Sequence, residues 1–431
     1  MADVTITAYE HERLLYTEVK NFTKRHWEAL IAFRSRPGHE RYYDVVHKGI
    51  KLGSYVGVLR IGSLTLEVLP KLDNGPADAN HWRDRLLDML RVVSDVRTFH
   101  PSTSHLRTRP NDLLDYYLTL FADQTEQLLR GGLAKAYHGR EGNRTALRGR
   151  LVPGKHLTKN ALHRERFYVA DTVYDYQHPL NQVLRMALDL ARRLARPAAL
   201  RQRLEDLDLR VPRLPELRVS EDLFRRLRYD RRTEAYRPAI TIARLLLLNF
   251  HPDLRGGQHD VLALLFNMNQ LWEGFLLAAL RRYGPPEFTC TGQHQEVFWQ
   301  SERRVGLRPD ILIRKDDHPV AVLDAKWKRA EQPSSADLYQ LYAYAHHFGV
   351  PRVALLYPGE GAGAVSEVEQ AVGEYRDGTR CDVLRLPVSE GPVRDWMQLL
   401  ARGLTEWLLE VTPAPETQPE TAAPTAAAPR Y

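Results

Sequence analysis

Val305–Lys328, VGLRPDILIRKDDHPVAVLDAKWK, reads as two short strands joined by a polar turn. Leu307–Ile313 is one apolar run and Val320–Ala325 the other, with Lys315-Asp316-Asp317-His318-Pro319 as the break. Both runs carry charge where a buried strand should carry none. Asp310 sits inside the first, and Asp324 and Lys326 close the second. Side chains two apart in a strand share a face, so Asp324 and Lys326 converge on one spot. If the strands pair as a hairpin, Asp310 joins them from the neighbouring strand. Two carboxylates and an ammonium on one patch of sheet are costly to bury unless they pair or hold a metal. Hard oxygen donors suit Mg²⁺, which binds through one or two carboxylates plus water and phosphate oxygens. A metal there polarises a phosphoryl oxygen and lowers the pKa of a bound water. Lys326 is placed to orient that water or to offset charge developing on phosphate. The competing reading is a surface hairpin whose acid and lysine form an ordinary ion pair.

Pro309-Asp310, thirteen residues, then Asp324-Ala325-Lys326 resembles the motif of the PD-(D/E)xK nuclease superfamily. In that superfamily a helix before the sheet often supplies a further carboxylate. Asp260–Tyr283, DVLALLFNMNQLWEGFLLAALRRY, reads as one long, nearly all-apolar and therefore buried helix. Glu273 lies near Asn269 and Gln270 on its single polar stripe, so the resemblance makes Glu273 a third metal ligand beside Asp310 and Asp324. A solvent-facing stripe is the alternative. A second helix is expected over Ala336–Phe348. There Gln340 and Tyr344 are four apart, hence on one face, and match the Gln-x-x-x-Tyr element of several nuclease branches. Gln293–Trp299 as first strand and Arg352–Tyr357 as last complete the order that the nuclease core requires.

With 431 residues, two or three domains are expected. Apolar content of 43% and charged content of 27% are those of a soluble globular protein. The richest apolar segment, Ile240–Phe250, is too short for a membrane span and carries Arg244. The start, MADVTITAYEHE, lacks a basic region followed by an apolar run, which points to the cytoplasm. Two cysteines, Cys290 and Cys381, cannot build a disulfide framework, a zinc cluster or a four-cysteine iron–sulfur site. The histidines show no metal-binding spacing, and His346-His347 falls at a helix end. A net charge of +7 suits a polyanionic partner, although arginine-rich composition also follows from codon bias.

Taken in order, Val4–Lys20 suggests a strand or hairpin and Thr23–Phe33 a short helix with Trp27, Leu30 and Ile31 on one side. Tyr42–Leu72 reads as strands broken at Gly49, Gly53 and Gly62-Ser63, the last a two-residue hairpin turn between Tyr55–Ile61 and Leu64–Leu69. No Walker motif occurs, so the chain does not hydrolyse nucleotide unaided. The run Gly57-Val58-Leu59-Arg60-Ile61-Gly62 followed by Leu66-Glu67-Val68-Leu69-Pro70-Lys71 is similar to the N-terminal region of McrC subunits of McrBC restriction systems. So is the order after it: helices around His81–Val93 and Asn111–Arg130, the segment Ala146–Leu151, a strand Phe167–Tyr176, and Pro179–Leu184 opening a helix. Met268–Glu273 fits the same family, and the resemblance runs from about Val4 to Leu409. Between Arg185 and Arg237 the chain is helical and arginine-dense, broken by Pro197, Pro212 and Pro215. The favoured reading of that stretch is a solvated face balanced by local acids, the alternative a phosphate-contacting surface.

The expected architecture is an α+β N-terminal domain over 1–165, a mainly helical middle over 166–258 and an α/β PD-(D/E)xK restriction-endonuclease-like domain over 259–411. A Pro/Ala/Thr-rich tail over 412–431 cannot bury enough surface to offset ordering. The resemblance implies the nuclease of a modification-dependent restriction system. Its catalytic set would be Asp310, Asp324, Lys326, Glu273, Gln340 and Tyr344, with Mg²⁺ as cofactor. Its partners would be a separate AAA+ GTPase ring, McrB-like, docked on the N-terminal half and stimulated by it, and double-stranded DNA carrying methylated cytosine. Two rivals remain: a self-sufficient repair or defence nuclease, and a non-catalytic adaptor with a vestigial nuclease fold.

Overall fold

The computed structural model describes residues 4–35, 41–72, 78–93, 113–251, 260–300, 304–329, 332–359 and 368–411. The expected tail over 412–431 lies outside them. The chain divides into two compact units, Met1–Lys71 with Asp78–Met268, and Leu72–Ala77 with Asn269–Tyr431. No helix among the described residues is long and apolar enough to cross a membrane.

The first unit is built on a five-stranded sheet in the order Val4–Tyr9, Leu64–Leu69, Tyr55–Ile61, Val261–Asn267, Phe250–His251. Gly62-Ser63 makes the expected tight turn, with Ile61 opposite Leu64. Gly57 crosses from Val56 to Val58 at φ 134°, and a β-carbon there would collide with the Leu264 carbonyl of the adjoining strand. The stretch Val4–Lys20 forms two strands, but not a hairpin. Val4–Tyr9 runs parallel to Leu64–Leu69, whereas Arg13–Leu15 joins Gly49–Leu52 in a second sheet. His11, at φ 64°, turns the chain between them. Thr23 caps the helix Lys24–Arg34 by accepting from the His26 N–H, and Leu30 and Phe33 of that helix enter the sheet's core.

Helices Ala79–Val93, Leu113–Gly131, Pro179–Leu194, Ala198–Arg210 and Arg237–Leu248 are among the further elements of this unit, with a three-stranded sheet of Ala136–Arg144, Phe167–Asp175 and Arg150–Leu151. The position expected for a boundary, residue 165, falls within the unit. Several arginines of the dense stretch point inward to acids and do not form a free face. Arg185, only 2% exposed, holds Asp189 and Asp208, and Arg203 holds Asp123 and Glu126.

The long helix expected over Asp260–Tyr283 is a strand followed by a helix. Val261–Asn267 is an inner strand of the first unit's sheet, and the helix is Met268–Tyr283. A run such as VLALLF, buried on both faces, has no periodicity to separate strand from helix.

The second unit carries a six-stranded sheet in the order Phe288–Gly292, Ile311–Lys315, His318–Ala325, Arg352–Pro358, Arg380–Leu386, Glu369–Ala371. The first three are antiparallel, and His318–Ala325, Arg352–Pro358 and Arg380–Leu386 are parallel. The expected helix forms over Ser335–Phe348 behind an N-cap Ser334. Its Leu341, Tyr344, Ala345 and Phe348 pack on Leu312, Val322, Val353 and Leu355. Trp272 and Phe275 of the helix Met268–Tyr283 pack with Trp327 and with Trp396 of the helix Val393–Val411. Two strand assignments need correction. The outer strand is Phe288–Gly292, because Gln293 at φ 56° ends it. Glu296–Gln300 instead pairs with Arg304–Leu307 in a separate two-stranded sheet. The run Leu307–Ile313 is likewise split: Arg308-Pro309-Asp310 interrupts it, since proline donates no ladder hydrogen bond, and the sheet strand starts at Ile311.

Candidate active site

The site grows from the register of one hairpin. Asp316 and Asp317 turn it with φ of 48° and 62°, the left-handed pair that matches strand twist. Lys315 faces His318 and Arg314 faces Pro319. A bulge then shifts the pairing, so that Ile311 faces Leu323. Carried one residue further, that register sets Asp310 opposite Asp324. The Ala325 N–H donates to Asp310 Oδ2 at 2.8 Å, which fixes the first carboxylate against the end of the second strand. Lys326 has just left that strand, held by its N–H to the Leu356 carbonyl at 3.0 Å. Its Nζ meets Asp324 Oδ2 at 2.7 Å.

Asp324 is 1% exposed, and its Oδ1 has no hydrogen-bond partner among the described residues. Burial, then the neighbouring Asp310 charge, pushes its pKa up to about 6. Asp310 is also pushed to about 6, by burial and then by Glu273. Burial alone would lower the Lys326 ammonium. Asp324, Asp310 and Asp337 outweigh that and hold it above the ordinary lysine value.

Glu273 does not face solvent. It is 7% exposed, and its carboxyl is raised by burial despite the amide of Gln293, which donates to Oε1. Its helix is tied to the same place, because Asn269 Oδ1 accepts from the Trp327 N–H at 2.8 Å. Gln340 and Tyr344 stand one layer out. Gln340 Nε2 donates to the Tyr344 hydroxyl at 2.7 Å, and that hydroxyl donates to the Arg308 carbonyl at 3.1 Å. They brace the turn that delivers Asp310. All six expected residues therefore lie in or against one region of the second unit. Among the described residues, no group of three His, Cys, Asp or Glu side chains is arranged to hold a metal ion by itself.

Comparison with known proteins adds the lineage. The family model for the McrBC 5-methylcytosine restriction system component matches residues 50–358, well over half of the chain. The chain belongs to the McrBC family. Its fold is similar to a chain of the refined half-complex from the tetradecameric assembly of Thermococcus gammatolerans McrB AAA+ hexamers with bound McrC. That match has 21% identity and a TM-score of 0.71, covering 94% of this chain and 100% of the other. A second match, to a chain of the Thermococcus gammatolerans McrBC complex, has 20% identity and a TM-score of 0.51, covering 65% and 88%. No curated protein matches. The McrBC family model ends at residue 358, so it spans Glu273, Asp310, Asp324, Lys326, Gln340 and Tyr344 alike.

Three neighbours escaped the sequence reading. Gln293 looked like a strand residue and Asn269 like part of a polar stripe, and Asp337 drew no reading at all. Asp337 is buried, and its Oδ2 takes Lys328 Nζ at 2.7 Å, Ser334 Oγ at 2.7 Å and the Tyr357 hydroxyl at 3.3 Å. Burial would raise its carboxyl, but Lys328 and Ser334 hold it below the ordinary value. The legible signal was S-x-x-D ahead of an apolar run, a capping pattern.

Proposed function

We propose that this McrBC-family chain is the Mg²⁺-dependent DNA endonuclease of its system, a PD-(D/E)xK enzyme acting with a separate AAA+ GTPase. The observation that carries the reading is the convergence of Asp310, Asp324 and Lys326, with the buried Asp324 Oδ1 lacking a hydrogen-bond partner among the described residues. An unanswered buried oxygen is costly, and two buried carboxylates, Asp324 raised further by the Asp310 charge and Asp310 by that of Glu273, suit a hard divalent cation. Asp310 and Asp324 would hold that cation, with Glu273 as the acid beside them. Bound there, Mg²⁺ supplies Lewis-acid polarisation of phosphate and a more acidic water. Lys326 stays protonated, so it serves as a cation that orients the water or offsets charge on the phosphorane-like transition state, and does not serve as a base. The helix order and the antiparallel-to-parallel sheet of the second unit support the superfamily reading.

The partner assignment rests on the likeness to the Thermococcus gammatolerans McrB–McrC assembly. An AAA+ GTPase ring docks on the N-terminal half and is stimulated by it, and the ring reads methylated cytosine. This chain's +7 charge contributes sequence-independent attraction to phosphates. The test incubates purified chain and Mg²⁺ with methylated or unmethylated plasmid, with and without the AAA+ protein and GTP. Cutting that requires chain, partner, GTP and modified DNA together supports the proposal. Efficient cutting at defined sites by the chain alone overturns the division of labour.

A further inference from the structure

Gln293 occupies a backbone conformation that side chains avoid, φ 56°, where the chain leaves the outer strand Phe288–Gly292. Such a position is strained for a non-glycine residue and persists where the surroundings dictate it. Two contacts are made from it. The Gln293 N–H donates to the Asp310 carbonyl at 3.2 Å. The side-chain amide donates through Nε2 to Glu273 Oε1. One residue thus bridges the helix that carries Glu273 and the turn that carries Asp310. Its side-chain chemistry is restrictive. A neutral N–H donor can hold a carboxylate beside two others without adding a fourth negative charge, and without neutralising the cluster as lysine would. A glycine would satisfy the backbone and lose the bridge.

We infer that Gln293 is a positioning residue that holds the Glu273 carboxylate against Asp310 and thereby sets how tightly this acidic end binds a divalent cation. The inference rests on the metal-site reading proposed above. Partners of this outer kind fix the direction of acidic groups around a metal, and their loss typically weakens binding by about 10- to 100-fold. Gln293 touches none of the atoms that would react, so its side chain reaches the chemistry only through Glu273.

The test is calorimetric titration of the full-length chain, without DNA, with Ca²⁺ as a non-hydrolysing probe. Each variant is melted in parallel. Gln293→Met keeps the length without the donor, and Gln293→Gly relaxes the backbone while removing the side chain. Both should weaken Ca²⁺ binding by about 10-fold. In a Glu273→Gln background, Gln293→Met should add little further loss, because both changes act through one carboxylate. If both Gln293 variants bind Ca²⁺ as the parent does, whether or not they melt earlier, Gln293 is structural only and the inference is overturned. Asp324→Asn separates the two levels. Should it leave Ca²⁺ binding unchanged, the metal-site reading itself fails and the inference falls with it. Loss with Asp324→Asn but none with either Gln293 variant overturns the inference alone.

Discussion

One buried acid of the first unit and one buried acid pair of the second are treated oppositely. In the first, Asp208 is surrounded by arginines. Arg185 is bound to it, Arg213 Nη2 lies at 2.7 Å and Arg192 Nη1 at 3.0 Å. Burial would raise its carboxyl, and Arg185, Arg192 and Arg213 together hold it below the ordinary value. In the second, Asp324 is ion-paired with Lys326, whose charge also reaches Asp310, and both carboxyls are still pushed up to about 6. A buried charge as such therefore says little about function. An over-answered acid belongs to the scaffold, whereas an under-answered pair has a structural reason to take a cation.

The largest effect that would test this contrast is on cleavage. Asp324→Ala and Lys326→Ala should each lower Mg²⁺-dependent DNA cutting by about 1,000-fold or more while the protein stays folded at the assay temperature. Parental cutting by both folded variants would remove the site. Next is the scaffold side. Arg185→Met should destabilise the first unit by about 3 kcal/mol in chemical denaturation, because it leaves Asp208 and Asp189 short of a partner. A variant as stable as the parent would mean that Arg192 and Arg213 satisfy Asp208 without Arg185.

A smaller effect follows from the raised carboxyls. A carboxyl whose folded pKa lies near 6 rather than near 3.8 binds its proton more tightly in the folded state. The stability it contributes is complete below about pH 4 and is lost as pH rises through 6. In metal-free protein, Asp324→Asn should therefore melt a few degrees above the parent at pH 7.5, on the order of 1–2 kcal/mol, and level with it at pH 4. An equal difference at both pH values would show that the pair is not strained by charge. The smallest expected change is for Gln340→Ala, which takes one donor from Tyr344. A few-fold fall in kcat with unchanged KM for DNA would mark a brace rather than a participant.

Much of the site was legible because its logic is local. Asp324 and Lys326 are two apart, and Asp310 is reached through a turn whose residues announce it. What stayed hidden was set by distant chain. Whether VLALLF becomes strand or helix depends on Tyr55–Ile61 lying beside it, some 200 residues earlier in sequence. Gln293 alternates with its neighbours like a strand residue, and only the Glu273 and Asp310 contacts explain its turn. The arginine-rich helices read as a solvated face because their acid partners, such as Asp123 and Glu126 for Arg203, sit on another helix. Asp337 stayed hidden because its backbone N–H simply donates to the N-cap Ser334, while its Lys328 and Tyr357 partners lie on other elements.

The bulge beside Arg314 has a consequence for which sequences this site can tolerate. Pairing next to the turn follows Arg314 with Pro319, and a ladder continued without slippage would set Asp310 against Leu323. The extra residue on the returning strand moves the partner on by one, to Asp324. The hairpin thus acts as a ruler that must count one residue more on one arm than on the other. Adding or deleting a single residue between Asp310 and Asp324 would turn one carboxylate to the opposite side of the sheet, although every side chain needed would still be present. Compensated changes, one residue in each arm, would keep the alignment. The thirteen-residue gap is therefore a matter of parity as much as of length.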